Sequence, residues 1–138
     1  MSGEYVSRLK RRARGFLEAA EKSRDMDLAA FFIEQSMQLY LKAVFYELFG
    51  DRIRGHGIRS LLGALSRSLR KHGYEKISDK IEHFVGEHKR DLALAEEAYT
   101  GGRYGDVSYS EEDVKNLMGS AEKLIKLLDE VVKDVKLG

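Results

Sequence analysis

The chain has 138 residues, no cysteine, no proline and a formal net charge of +1. These figures exclude a disulfide framework, thiolate chemistry and an overall basic nucleic-acid coat, and the length fits a single domain over residues 1–138. With 43% hydrophobic and 34% charged residues, there is enough apolar surface for a packed interior, so disorder is excluded as well.

The opening residues lack the basic-then-apolar pattern of a signal peptide, and no run approaches the ~18 apolar residues of a membrane span. A cytoplasmic protein with no membrane contact is expected, and the absence of cysteine fits a reducing compartment. In the first element Val6, Leu9, Ala13, Phe16, Leu17 and Ala20 recur at helical spacing, while Arg8, Lys10, Arg11, Arg12 and Arg14 fall largely on the other faces. Such a cluster is ordinarily a solvated face; its sharper reading is a phosphate-contacting patch.

The second element starts near Asp25 or Asp27, either able to act as N-cap, and runs through Leu28, Phe31, Phe32, Leu39, Leu41, Val44, Phe45, Leu48 and Phe49 to a stop at Gly50. Its apolar residues point in nearly every direction, which predicts the central, most buried helix. A short basic loop containing His56 leads to a third helix marked by Ile58, Leu61, Leu62, Leu65 and Leu69, ending at His72-Gly73. Ile77, Ile81, Phe84, His88, Leu92, Ala95 and Tyr99 then form one stripe, which predicts a single long fourth helix. After a glycine-bearing loop, Ser110-Glu-Glu-Asp113 resembles a capping box that opens the last helix. No segment alternates with a period of two, so the fold class is all-α. Short connections favour an antiparallel up-and-down bundle of five helices, four long and the third short.

Several chemistries lack their residues. His56, His72, His83 and His88 are scattered, and five positions separate the last two, about 140° around a helix, so no metal is expected. On the apolar stripe, His88 reads as a hydrogen-bonded core histidine. There is no phosphate-binding Gly-x-x-x-x-Gly-Lys-[Ser/Thr] and no nucleophile elbow, and no cofactor is implied. Glu96-Glu97 and Glu111-Glu112 read as solvating charge.

The second helix carries Gln35-Ser36-Met37-Gln38-Leu39-Tyr40-Leu41-Lys42-Ala43, followed by Gly50. This resembles the HEPN family's Gln-Ala-x-Glu-x-x-Leu-Lys-Ala pattern, which a Phe precedes and a Gly follows. His56-Gly-Ile-Arg-Ser60-Leu61 resembles the family's His-Ser-Leu start of its third helix with two residues inserted, and Tyr99-Thr-Gly-Gly-Arg103-Tyr104-Gly105-Asp106 resembles its Tyr-x-x-x-Arg-Tyr-Pro-Asp with Gly105 for proline. The resemblance implies a five-helix module associated with nucleotides or RNA, commonly a homodimer, often acting with a minimal nucleotidyltransferase. It implies a ligand-binding set of Gln35, Gln38, Lys42, His56, Arg103, Tyr104 and Asp106. Rival readings are a metal-independent ribonuclease toxin of a toxin-antitoxin pair and a purely structural dimer.

The residues themselves point to the same helix. Glu34, Gln38 and Lys42 follow at i, i+4 intervals with Gln35 beside them, so one polar stripe runs along an otherwise apolar helix. It must face solvent, pair with Arg103 and Asp106, or line a ligand groove. Ribonuclease members of the family resemble one another in an Arg followed by His after four to six residues, a cation and a proton-transfer group for one phosphodiester. Here Arg103 is followed at those places by Ser108, Tyr109 and Ser110. Arg67 with His72 does match, but about one accidental match is expected at this composition, and Arg52 and His56 stand too close in sequence. Arg103, His72 and His56 are therefore only weak catalytic candidates.

Overall fold

The computed structural model describes residues 2–101, 105 and 107–138. Among these the regular structure is all helix: α1 (Ser2–Lys22), α2 (Met26–Phe49), α3 (Ile58–Lys71), α4 (Glu75–Glu87), α5 (Lys89–Thr100) and α6 (Glu111–Leu137). The caps explain several boundaries. The Asp25 side chain accepts from the amides of Asp27 and Leu28 at 3.0 and 3.1 Å, which settles the N-cap of α2. Gly50 ends that helix at φ 74°, a left-handed conformation that glycine adopts without a Cβ penalty. Ser110 and Asp113 form the reciprocal capping box that opens α6.

As expected, α2 is the central helix. It contacts α1, α3, α5 and α6, and Ala29, Ala30, Ile33, Met37, Tyr40, Leu41, Ala43 and Val44 along it are buried. Where α1, α2 and α6 meet, the Tyr40 hydroxyl donates to Asp129, while Arg14 donates to Tyr40 and pairs with Asp129. Burial and the Asp129 carboxylate together push the Tyr40 phenol up to about 12, so it remains a donor at every ordinary pH.

Two features differ from the simple up-and-down bundle. The expected fourth helix is two helices, α4 and α5, separated at His88 (φ −111°, ψ 17°). The apolar stripe runs through the break unbroken because Ile81 and Phe84 before it, and Leu92 and Ala95 after it, all enter the same core. What holds the bend is polar: His88 lies 3.2 Å from the Ser120 hydroxyl through Nδ1, Ser120 donates to Asp91 at 2.6 Å, and the imidazole stacks on Phe84. His88 is thus a half-buried, hydrogen-bonded core histidine. Among the described residues the bundle accordingly has six helices, with α1, α2 and α6 the long ones.

The second difference concerns direction. Tyr5 meets Tyr46 and Phe16 meets Phe32, so α1 and α2 are antiparallel, whereas the pairs Tyr40–Asp129 and Glu47–Lys136 make α2 and α6 parallel. His56 on Tyr99 and Arg59 with Glu96 set α3 antiparallel to α5, and Leu94 with Tyr109 just before α6 together with Asp91 and Ser120 sets α5 antiparallel to α6. α3 therefore runs the same way as α2, and Phe49 and His72 at their C-terminal ends are in contact. Residues 51–57, which have no helical structure, carry the chain back along the bundle. Seven residues reach about 23 Å when extended, enough to return along the 14 residues of α3.

Candidate functional site

The polar stripe of α2 closes on itself before it reaches anything else. Glu34 is fully buried, and each of its carboxylate oxygens accepts one amide: Gln35 donates to Oε1 and Gln38 to Oε2, both at 2.8 Å. Burial pushes the Glu34 carboxyl from the ordinary 4.5 up to about 7; the two amides and the Lys42 ammonium pull it back, and Glu96 adds to the rise. This arrangement gives a reason for the departure from the family pattern at residue 38. A glutamine can donate to Glu34, whereas an ionised glutamate there would set two carboxylates against each other. Gln35 and Lys42 are half-buried and Gln38 is buried.

Beside this stripe lie the C-terminal half of α5 and the start of α3. Arg59 clamps Glu96 through Nε at 2.8 Å and Nη2 at 3.1 Å, and its backbone amide donates to the same carboxylate at 3.0 Å. Glu96 is thus half-buried and a structural anchor, where its place beside Glu97 suggested mere solvation. One turn further along α5, the Tyr99 ring carries the His56 imidazole, with centroids 4.3 Å apart and planes 12° from parallel. His56 is itself exposed while its ring rests on Tyr99. Glu34 thus feels both Lys42 and Glu96, Arg59 clamps Glu96, and Tyr99 with its stacked His56 stands three residues beyond Glu96 on α5. Tyr99 and Arg59 were not expected members of this group: the tyrosine reads as the end of an apolar stripe and the arginine as one of many surface cations. Their signal lies in α3–α5 pairing, which a one-dimensional pattern does not contain.

Arg103, Tyr104 and Asp106 lie outside the described residues. Val107 and Tyr109, just beyond them, are anchored: Val107 packs over Gly101, where an added Cβ would come within 2.3 Å of its Cγ2. The Tyr109 amide donates to Asp27 at 2.8 Å and its hydroxyl to the Leu94 carbonyl at 2.9 Å. His72 stands apart from the α2 strip. It is exposed, packs on Phe49 and has Nδ1 2.8 Å from the Ser68 carbonyl. Arg67 instead borders a groove between α3 and α4 lined by Gly63, Ser66, Ile81 and Glu82, so the two residues keep different company.

The Asp91–Ser120–His88 grouping contains the residue types of a hydrolytic triad in the wrong order. Ser120 gives its proton to Asp91 rather than to the imidazole and is 3% exposed, so it is no nucleophile. Among the described residues no group of three or more His, Asp or Glu side chains is placed to hold a metal ion, and no helix is long and apolar enough to cross a membrane.

No curated protein and no solved structure matches the chain. The family model described as HEPN domain matches residues 6–131, which includes α2 with its polar stripe and the α3–α5 contact. The chain therefore belongs to the HEPN family of helical domains associated with nucleotides and RNA.

Proposed function

We propose that this domain is a non-catalytic binding module that takes a nucleotide or RNA on the strip formed by α2, the start of α3 and the end of α5. The observation that carries the reading is the exposed His56 ring stacked on Tyr99, one turn from the Arg59–Glu96 clamp, whose Glu96 acts on Glu34 of the polar stripe. A flat aromatic face with cations and amide groups around it suits a nucleobase and its phosphate, since stacking on such a face is worth about 1–3 kcal/mol per base. Arg103, Tyr104 and Asp106 complete the ligand set on this reading. The incomplete pairing of Arg103 with a histidine favours binding over cleavage. The same proposal has the module working as a homodimer beside a minimal nucleotidyltransferase partner.

Titrating AMP while following amide and ring chemical shifts tests it. Shifts centred on His56, Tyr99 and Lys42 are expected, with affinity at least tenfold weaker in His56→Ala by the loss of one stacked base. Shifts elsewhere, or none, would dismiss the strip as a ligand face. Mixed RNA incubated with the protein in chelator is expected to remain intact, and cleavage would return the ribonuclease reading.

A further inference from the structure

The central helix is left uncovered along one line. Every residue of α2 from 28 to 44 is buried except Leu28, Phe31, Phe32, Gln35, Leu39 and Lys42. Leu28, Phe32, Gln35, Leu39, Lys42 and Tyr46 follow one another by alternating steps of four and three, which is the seam along which one helix receives another. Four of these six are apolar or aromatic, and Leu28 is 44% exposed, so the seam offers a partner more than polar contacts. An apolar line that a fold's own helices leave uncovered marks an interaction surface.

Beside this line the charge has one sign. The contacts of Tyr5 with Tyr46 and of Phe16 with Phe32 set one flank of α1 along it, and Arg8 and Arg12 fall between the two rings on that flank. From Tyr5 to Leu17 the sequence holds no acid, and Lys10 and Arg14 turn away to Glu47 and Asp129 on the opposite flank. On α2 the charged residues between Asp27 and Glu47 are Glu34, which is fully buried, and Lys42. Other grooves mix the signs: the α1–α6 groove sets Arg14, Lys126 and Lys133 among Glu122, Asp129 and Glu130, and the α4–α6 groove sets Lys76 and Lys80 beside Asp79 and Glu87. The α2 line differs in joining an uncovered apolar seam to a border without acids. A second copy fits it poorly, since antiparallel two-fold pairing of α2 brings the two arginine flanks together and parallel pairing sets Lys42 against Lys42.

We propose that this face receives an amphipathic helix of a second protein, about five turns long, with aliphatic residues along its contact line and carboxylates beside them to meet Arg8, Arg12 and Lys42. The apolar line supplies the contact area, and the one-signed border selects an acidic partner over a basic one. The inference goes beyond the ligand reading and does not depend on it, because His56 and Tyr99 stand on the 51–57 loop and α5 rather than on this line.

The test uses labelled synthetic peptides of that length: a leucine line flanked by glutamates, the same line flanked by lysines, and the glutamate peptide with its leucines changed to serine. Fluorescence anisotropy reads affinity for the full chain, and amide chemical shifts read location. The glutamate-flanked leucine peptide is expected to bind roughly tenfold more tightly than either of the others, with shifts centred on Leu28, Phe32 and Leu39. Arg8→Glu/Arg12→Glu, checked for fold by circular dichroism, is expected to move the preference roughly tenfold toward the lysine-flanked peptide. No binding of the glutamate-flanked peptide, equal binding of the two leucine peptides, a preference unmoved by the charge reversal, or shifts centred away from α2 overturns the proposal. A solution mass that halves in Leu28→Ser also overturns it, by showing that a second copy occupies the line.

Discussion

Glu34 is a fully buried carboxyl on the central helix, so its charge state bears on the stability of the fold. Its proton is held in the folded chain up to about pH 7 but released near 4.5 when unfolded, so between those values the folded state binds more protons. Stability therefore falls as pH rises through that window and levels off above it. The contribution is up to about 2 kcal/mol between pH 5 and pH 8. Urea denaturation at the two pH values should show that Glu34→Gln removes this part of the slope; a variant with the wild-type slope would mean that Glu34 does not hold its proton. The i, i+4 spacing of Glu34, Gln38 and Lys42 was legible in the sequence, as was the need to satisfy them. That Glu34 would be the buried acceptor of both amides was not, because which side of a many-sided apolar helix is covered depends on where α5 packs.

At the scale of elements, the α4–α5 bend shows why a hydrophobic stripe overstates helix length. Periodicity registers which residues enter the core, and it is blind to a change of axis that leaves the phase intact. The bend is recorded instead in the polar contacts of His88 and Asp91 with Ser120 on α6, a partner 29 residues distant from Asp91. Ser120→Ala should cost about 1–2 kcal/mol in thermal or chemical unfolding, since it leaves two half-buried polar groups without their partner. A loss within about 0.5 kcal/mol, as for an ordinary surface change, would show that the network does not hold the bend. The capping residues of α2 and α6 were readable because a cap is local: Asp25 and Ser110 act within three residues of themselves. The shared direction of α2 and α3 was not, because a seven-residue connection permits either a tight reversal or an extended return.

For the molecule as a whole, the arrangement of charge matters more than its near-zero sum. Acids hold Lys10, Arg14, Arg59, Arg70, Lys80 and Lys136, whereas Arg8 and Arg12 on α1 take part in no ion pair among the described residues. The basic run in α1 was visible in the sequence; its division into a neutralised flank and an uncompensated one required the α6 contacts. Light scattering at high concentration is expected to give about twice the 15.7 kDa chain mass, as the proposed homodimer requires, and a mass that remains near 15.7 kDa would refute it.

The packing of Val107 over Gly101, together with the double anchoring of Tyr109, fixes both banks of the intervening segment against α2 and α5. Because the two banks already touch, a peptide grafted between them adds little closure entropy and does not shift the register of α6. This makes residues 102–106 a natural port for engineering, where foreign sequence can be exchanged to retune recognition while the scaffold melts as before.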